Sequence, residues 1–88
     1  MSKLRFISDA GHGWLEVPTV DVIQAGITPS RYSYIDADNN LAYLEEDCDM
    51  AAYLAAIGCI FDSAVLWGNI KEIFINGDAW IRELPRYA

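Results

Sequence analysis

The sequence is short of basic residues and of long apolar runs. Six lysines and arginines stand against 13 acidic residues, which leaves a formal net charge of −7. A protein that binds nucleic acid or an anionic membrane directly needs a basic patch, so this balance argues against both partners. The longest uncharged stretch, residues 50–61, is well below the roughly 20 residues of a membrane-spanning helix. The acidity fits a solvated surface or a surface that meets a basic partner.

Cysteine and histidine are also scarce, which limits metal and covalent chemistry. Cys48 and Cys59 form no Cys-x-x-Cys pair, and His12 is the single histidine. Their spacing does not match a zinc site. Because no export signal is visible in the first residues, both cysteines are expected as free thiols in a cytoplasm. We therefore predict a cytoplasmic protein without a metal or another cofactor.

Apolar residues are plentiful enough for one core. They make up 53% of the 88 residues, with a 12% aromatic share, so we predict one compact domain over residues 1–88. Alternating apolar positions predict three hairpins, formed by residues 3–8 with 14–17, 31–35 with 41–45, and 70–75 with 78–84. Amphipathic periodicity predicts helices over 18–25 and 49–61. Residues 62–69 fit either a helical turn or a loop.

The order of these elements predicts the fold class. Pairs of strands alternate with helices, which is typical of a two-layer α+β domain. We expect an antiparallel or mixed sheet of about five to six short strands with two helices packed on one face. Strand order does not follow from the sequence.

The stretch YLEEDCDM, residues 43–50, concentrates negative charge: it has four carboxylates within five positions. An acid caps a helix start well, so Asp47 or Asp49 is the expected N-cap of the second helix. Capping does not account for Glu45 and Glu46, because clustered like charges repel each other. We therefore predict a partner-binding acidic surface that meets a basic protein. Its residues are Asp36, Asp38, Glu45, Glu46, Asp47 and Asp49.

Several other interpretations of these residues stay open. Residues 36–47 resemble a calcium-binding loop in the spacing of their acids, but Leu41 stands where such a loop needs glycine. A small enzyme or ligand-binding module would use His12, Trp14 and Cys48. The neighbouring carboxylates oppose a thiolate at Cys48, which weakens the enzyme alternative. In a third alternative, the protein is an accessory factor whose charge serves only solubility.

Three segments, SDAGHGWLEVP (8–18), SRYSYID (30–36) and AYLEEDCDM (42–50), resemble small uncharacterised proteins of bacteriophages, plasmids and other bacterial mobile elements. The resemblance implies a bacterial cytoplasm as the protein's location, and it carries over no functional residue. Small acidic proteins of such elements include anti-CRISPR proteins that mimic nucleic-acid charge. By that analogy we expect a non-enzymatic protein-binding module that inhibits host nucleic-acid-binding defence machinery.

Overall fold

The computed structural model describes residues 4–58, 68 and 70–88. This part of the chain forms five strands, two α-helices and one short 3₁₀-helix. In chain order they are β1 (Leu4–Ser8), β2 (Gly13–Pro18), α1 (Thr19–Ala25), β3 (Tyr34–Asp36), β4 (Leu41–Glu45), α2 (Asp49–Ala56), β5 (Ile70–Phe74) and the 3₁₀-helix Trp80–Glu83. The strands make one mixed sheet in the order β3-β4-β2-β1-β5. Together with two helices on one face, this sheet confirms the predicted α+β fold class.

The pairing of the first two predicted hairpins is confirmed, although β3 covers residues 34–36 rather than 31–35, and the third hairpin is wrong. β1 pairs with β2, and β3 with β4, in antiparallel register. β5 instead runs parallel to β1, with Leu4 opposite Ile70. Residues 80–83, predicted as part of a strand, form the 3₁₀-helix. The Asn-Gly pair at 76–77 favours a hairpin locally, but tertiary contacts of the following residues prevail, since Ala79 and Ile81 are buried against the sheet.

The alternation of side chains along the strands divides the core into two faces. One face packs against the helices through Leu15, Leu44 and Leu54, among others. The opposite face presents Ile7, Trp14, Tyr34 and Tyr43, and the C-terminal segment covers part of it with Ala79 and Ile81. This segment thus forms a third partial layer that the sequence pattern did not predict.

Both helices begin near their predicted starts, but α2 ends early. α1 ends at Ala25, as predicted, and the following Gly26 has a left-handed φ of 75°, a conformation that glycine adopts easily. α2 ends at Ala56 rather than residue 61, and Gly58 has a φ of 82°, which no α-helix continues through. Leu54 is buried in the core, whereas Ile57, just past the end of α2, is 46% exposed. The predictions for Cys59 and for residues 62–67 lie outside the described residues.

Glycine is needed at one position in the hairpin β1–β2. A Cβ at Gly13 would lie 2.3 Å from Cζ of Phe6. The Phe6 ring is itself buried in the core, so it has little room to move. Gly13 therefore lets the start of β2 approach this ring closely.

Candidate binding cleft

A cleft of about 420 Å³ opens where the second face of the sheet meets the C-terminal segment. Strand ends and loops far apart in the sequence supply its nine lining residues. They are His12, Trp14, Tyr32, Tyr34, Glu45, Asp47, Cys48, Arg82 and Arg86. Pockets that bind small ligands combine apolar walls with a few polar groups, and this set has both.

Two aromatic rings from neighbouring parts of the sheet form the apolar part of the cleft. Trp14 on β2 and Tyr34 on β3 pack edge to face, with ring centroids 6.1 Å apart. Trp14 is 1% exposed, and its indole Nε1 is buried without a hydrogen-bond partner in the part of the chain that the structure describes. A buried donor without a partner costs about 1–3 kcal/mol. This indole N–H is therefore a buried donor, on a residue that lines the cleft, which the described residues leave unsatisfied.

Arg82 lies over the Trp14 ring and is held there by Asp9. Its Cζ is 5.2 Å from the ring centroid, a cation–π distance. Its Nε and Nη2 donate to the Asp9 carboxylate at 2.7 and 2.8 Å. The guanidinium, followed by N–H groups of the backbone, holds the pKa of Asp9 well below its usual range, against the opposing effect of burial. Asp9 thus connects the β1–β2 turn to the C-terminal segment and fixes one wall of the cleft.

Arg86 lies over the Tyr34 ring, with its Cζ 5.3 Å from the centroid. Its Nη1 donates to the carbonyl of Arg31 at 2.7 Å. The backbone beside it pairs with β3, because the N–H of Tyr87 donates to the carbonyl of Ser33 at 2.8 Å. The C-terminal tail is therefore hydrogen-bonded to the edge of the sheet.

Glu45, Glu46 and Asp47 supply the negative charge of the cleft and its rim. Glu45 ends β4 on the same face as Trp14, and its side chain is only 7% exposed. Its Oε2 accepts the N–H of Asp47 at 2.9 Å, and its Oε1 lies 3.5 Å from Nδ1 of His12. Burial, followed by the charges of Asp47 and Glu45, raises the pKa of Glu46. Glu45 is thus a buried group of the cleft, rather than the exposed surface residue that the sequence suggested, while Asp47 is exposed.

The predicted side-chain cap of α2 is wrong. Cys48 occupies the N-cap position, and no side chain forms a capping hydrogen bond. Asp49 is instead the first residue of the helix and is buried. Its Oδ2 accepts hydrogen bonds from the N–H and hydroxyl of Ser30, at 2.9 and 2.8 Å, and from the hydroxyl of Ser33. Asp49 therefore joins the helix to the loop before β3, and its burial contradicts a place on an acidic surface.

Asp36 and Asp38 do not join the other acids. They lie at the turn end of the β3–β4 hairpin, roughly 14 Å along β4 from Glu45 at about 3.4 Å per residue. The Asp36 carboxylate accepts from Nδ2 of Asn39 at 2.9 Å, which organises the turn, and Asp38 is exposed. The described residues contain no group of three or more histidine, cysteine or acidic side chains arranged to hold a metal.

Cys48 lies at the rim of the cleft as an exposed, free thiol. Partial desolvation, followed by the carboxylates of Glu45, Asp49 and Asp47, raises the pKa of the Cys48 thiol above its ordinary value. The sequence predicted this direction from the neighbouring charges. At neutral pH the thiol form therefore predominates, which disfavours a nucleophilic role.

The cleft includes residues that the sequence suggested and others that it did not. His12, Trp14 and Cys48, which the sequence grouped as one alternative site, do line a single cleft. The sequence indicates neither Arg82 nor Arg86 as a cleft residue, because it predicts the first within a strand and shows no motif around the second. No sequence signal connects Arg82 to Asp9, since 73 positions separate them.

Comparisons of the chain with protein-family models, with curated proteins and with solved structures found no match. In the described part of the chain, no helix has the length and apolar character needed to cross a membrane.

Proposed function

We propose that the protein is a non-enzymatic binding module whose cleft and acidic rim bind a protein with a basic surface. One observation carries this proposal. Glu45 and Asp47 line the cleft and Glu46 stands between them at its rim, and none of the three forms an ion pair with a lysine or arginine among the described residues. By contrast, the carboxylates of Asp9 and Glu16 each form an ion pair with an arginine.

A basic partner would supply the missing countercharge. Burial, followed by the charges of Asp47 and Glu45, raises the pKa of Glu46, so part of the shift comes from repulsion between neighbouring carboxylates. A lysine or arginine from a partner would relieve this repulsion. The net charge of −7 would also accelerate the encounter with such a surface. Nucleic-acid-binding defence proteins are one source of basic surfaces, in keeping with the sequence resemblance.

The experiment is affinity capture with two charge variants that differ only in where the charge is removed. The rim variant carries Glu46→Gln and Asp47→Asn, and the tip variant carries Asp36→Asn and Asp38→Asn. Each loses two negative charges, from −7 to −5, so their net charges are matched. We expect the wild type and the tip variant to retain one basic partner at low salt, and the rim variant to lose it. The difference should shrink as salt rises, because the Debye length falls from about 10 Å at 0.1 M to about 3 Å at 1 M.

Two outcomes would refute the proposal. One is that the rim variant retains the captured protein as well as the wild type does. The other is that no partner is retained by any form, in which case the charge serves solubility. Identification of the captured protein decides whether it belongs to a nucleic-acid-binding machine.

A second candidate function, binding of a small ligand by His12, Trp14 and Cys48, is favoured by the position of all three in one cleft. The raised pKa of Cys48 argues for binding rather than nucleophilic catalysis. Alkylation by iodoacetamide measures this directly. We expect the rate at pH 8 to be below that of a free cysteine, and a faster rate would favour the enzyme alternative.

A further inference from the structure

Glu45 places a carboxylate inside the cleft with acceptor capacity to spare. Its side chain is 7% exposed, so the carboxylate is largely removed from water. Burial of a charge is unfavourable unless hydrogen bonds or an opposite charge compensate. Oε2 accepts the N–H of Asp47, and Oε1 lies 3.5 Å from His12 Nδ1, which is beyond the usual hydrogen-bond range. The Cys48 thiol is a further, weak donor to this carboxylate, whose two oxygens can accept about four hydrogen bonds. A cationic group with several N–H donors would satisfy the carboxylate.

The rings of the cleft already bind guanidinium groups within the chain. Arg82 lies over Trp14, Arg86 over Tyr34, and Arg31 over the half-exposed Tyr32. These faces therefore have the electrostatic character that attracts cations. An added cation would meet the carboxylates of Glu45 and Asp47. Of the two arginines of the cleft, Arg82 is already neutralised by Asp9, and Arg86 donates to the Arg31 carbonyl and keeps its charge.

The Trp14 indole requires a hydrogen-bond acceptor, whereas Glu45 requires a cation or donor. Its buried N–H is a donor without a partner, and a cation offers it no acceptor. Trp14 and Glu45 lie opposite each other in the β2–β4 register, so a ligand that satisfies both must carry a cation and an acceptor oxygen. A basic residue within a peptide carries both, because its carbonyl oxygen and its charged side chain belong to one unit.

We propose that the cleft binds one arginine or lysine residue of a partner's peptide segment. The side-chain cation pairs with Glu45 and Asp47, and the carbonyl oxygen accepts from the indole N–H of Trp14. This inference rests on the proposed function and names the group that the basic partner inserts. Free arginine carries the same two chemical groups, so the test has to separate it from a peptide.

The test is a titration of the ¹⁵N-labelled full-length protein, followed by heteronuclear NMR. The probes are acetyl-Ala-Ala-Arg-Ala-Ala-amide, the same peptide with citrulline in place of arginine, and free arginine. Citrulline keeps the shape of arginine and removes its charge. Three tryptophans give three indole signals, and Trp14→Phe identifies the one from Trp14.

We expect the arginine peptide to shift the Trp14 indole signal, and the citrulline peptide to bind about tenfold or more weakly, because the charged hydrogen bonds are lost. Glu45→Gln should weaken binding of the arginine peptide, and so should Asp47→Asn, a change at an exposed position. The matched control Asp36→Asn should not. Since Asp47 is at the surface, its variant keeps the test valid if Glu45→Gln does not fold.

Three results would overturn this inference: equal binding of the citrulline peptide, unchanged binding by both cleft variants, or an unmoved Trp14 signal at saturation. Binding of free arginine as tight as that of the peptide would assign the cleft to a free amino acid instead. If the rim variant loses the captured partner but the arginine peptide does not bind the wild type, the proposed function stands and this inference is wrong. If the arginine peptide binds but the rim variant retains the captured protein as well as the wild type does, this inference stands and the proposed function is wrong.

Discussion

Replacing Asp9 with asparagine is expected to destabilise the protein by about 3 kcal/mol, the lower end of the range for breaking a buried ion pair. The Asp9 side chain is 1% exposed, but its partner Arg82 keeps 31% exposure, which lowers the cost. The carboxylate accepts hydrogen bonds from the N–H groups of Gly11, His12 and Ala79 and from two nitrogens of Arg82. Asparagine replaces one oxygen by an NH₂ group, so at least two of these donors lose their acceptor.

This magnitude is large for a chain of 88 residues, whose total stability is about 4–13 kcal/mol at 0.05–0.15 kcal/mol per residue. Urea unfolding followed by circular dichroism at pH 7 measures it. The control is Arg5→Gln, which breaks the pair with Glu16, where Arg5 is 40% exposed. That change should cost about 0–1 kcal/mol. A cost of Asp9→Asn equal to the control would refute the claim that Asp9 secures the C-terminal segment.

The same pair predicts how stability depends on pH. The folded protein holds the pKa of Asp9 below its unfolded value of about 3.9. A lowered carboxyl pKa stabilises the fold fully above the unfolded value and less as the pH falls below it. The difference in unfolding free energy between wild type and Asp9→Asn should therefore be constant near neutrality and shrink below about pH 4. A difference that stays constant down to pH 2 would contradict the ion pair.

Three further predictions concern the core, the start of α2 and a buried tyrosine. Leu54→Ala should cost about 2–5 kcal/mol in urea unfolding because Leu54 is 1% exposed, whereas Ile57→Ala at an exposed position should cost under about 0.5 kcal/mol. Asp49→Ala should destabilise the protein by about 1–3 kcal/mol or more, because it leaves buried donors without an acceptor. Asp47→Ala should change the stability little. Equal losses of stability in the two variants would indicate that Asp47 caps α2 after all. Burial, with a hydrogen bond to a neighbouring carboxylate, raises the pKa of Tyr43 to about 12, so the stability linked to it is complete below pH 10 and declines between about pH 10 and 12. Ultraviolet titration should show a late tyrosine transition that Tyr43→Phe removes.

In the acidic cluster, residues 45–49, some properties depend on near neighbours in the sequence and others on the folded chain. Its position at the start of a helix and its effect on the Cys48 pKa followed from the sequence, because both depend on near neighbours. The functions of its individual acids did not follow. Glu45 points to the cleft because β4 ends there, and Asp49 is buried because Ser30 and Ser33 come within hydrogen-bond distance only in the folded chain.

The α+β class, the first two hairpins and the starts of both helices follow from composition and periodicity, since they depend on contacts between residues near in the sequence. The parallel pairing of β5 with β1, the 3₁₀-helix at 80–83 and the cleft arise from contacts between distant residues. Asp9 and Arg82, for example, lie 73 positions apart, and no local pattern encodes their pairing. Burial of Ala79 and Ile81 and the Asp9 hydrogen bonds then prevailed over the turn preference of Asn-Gly.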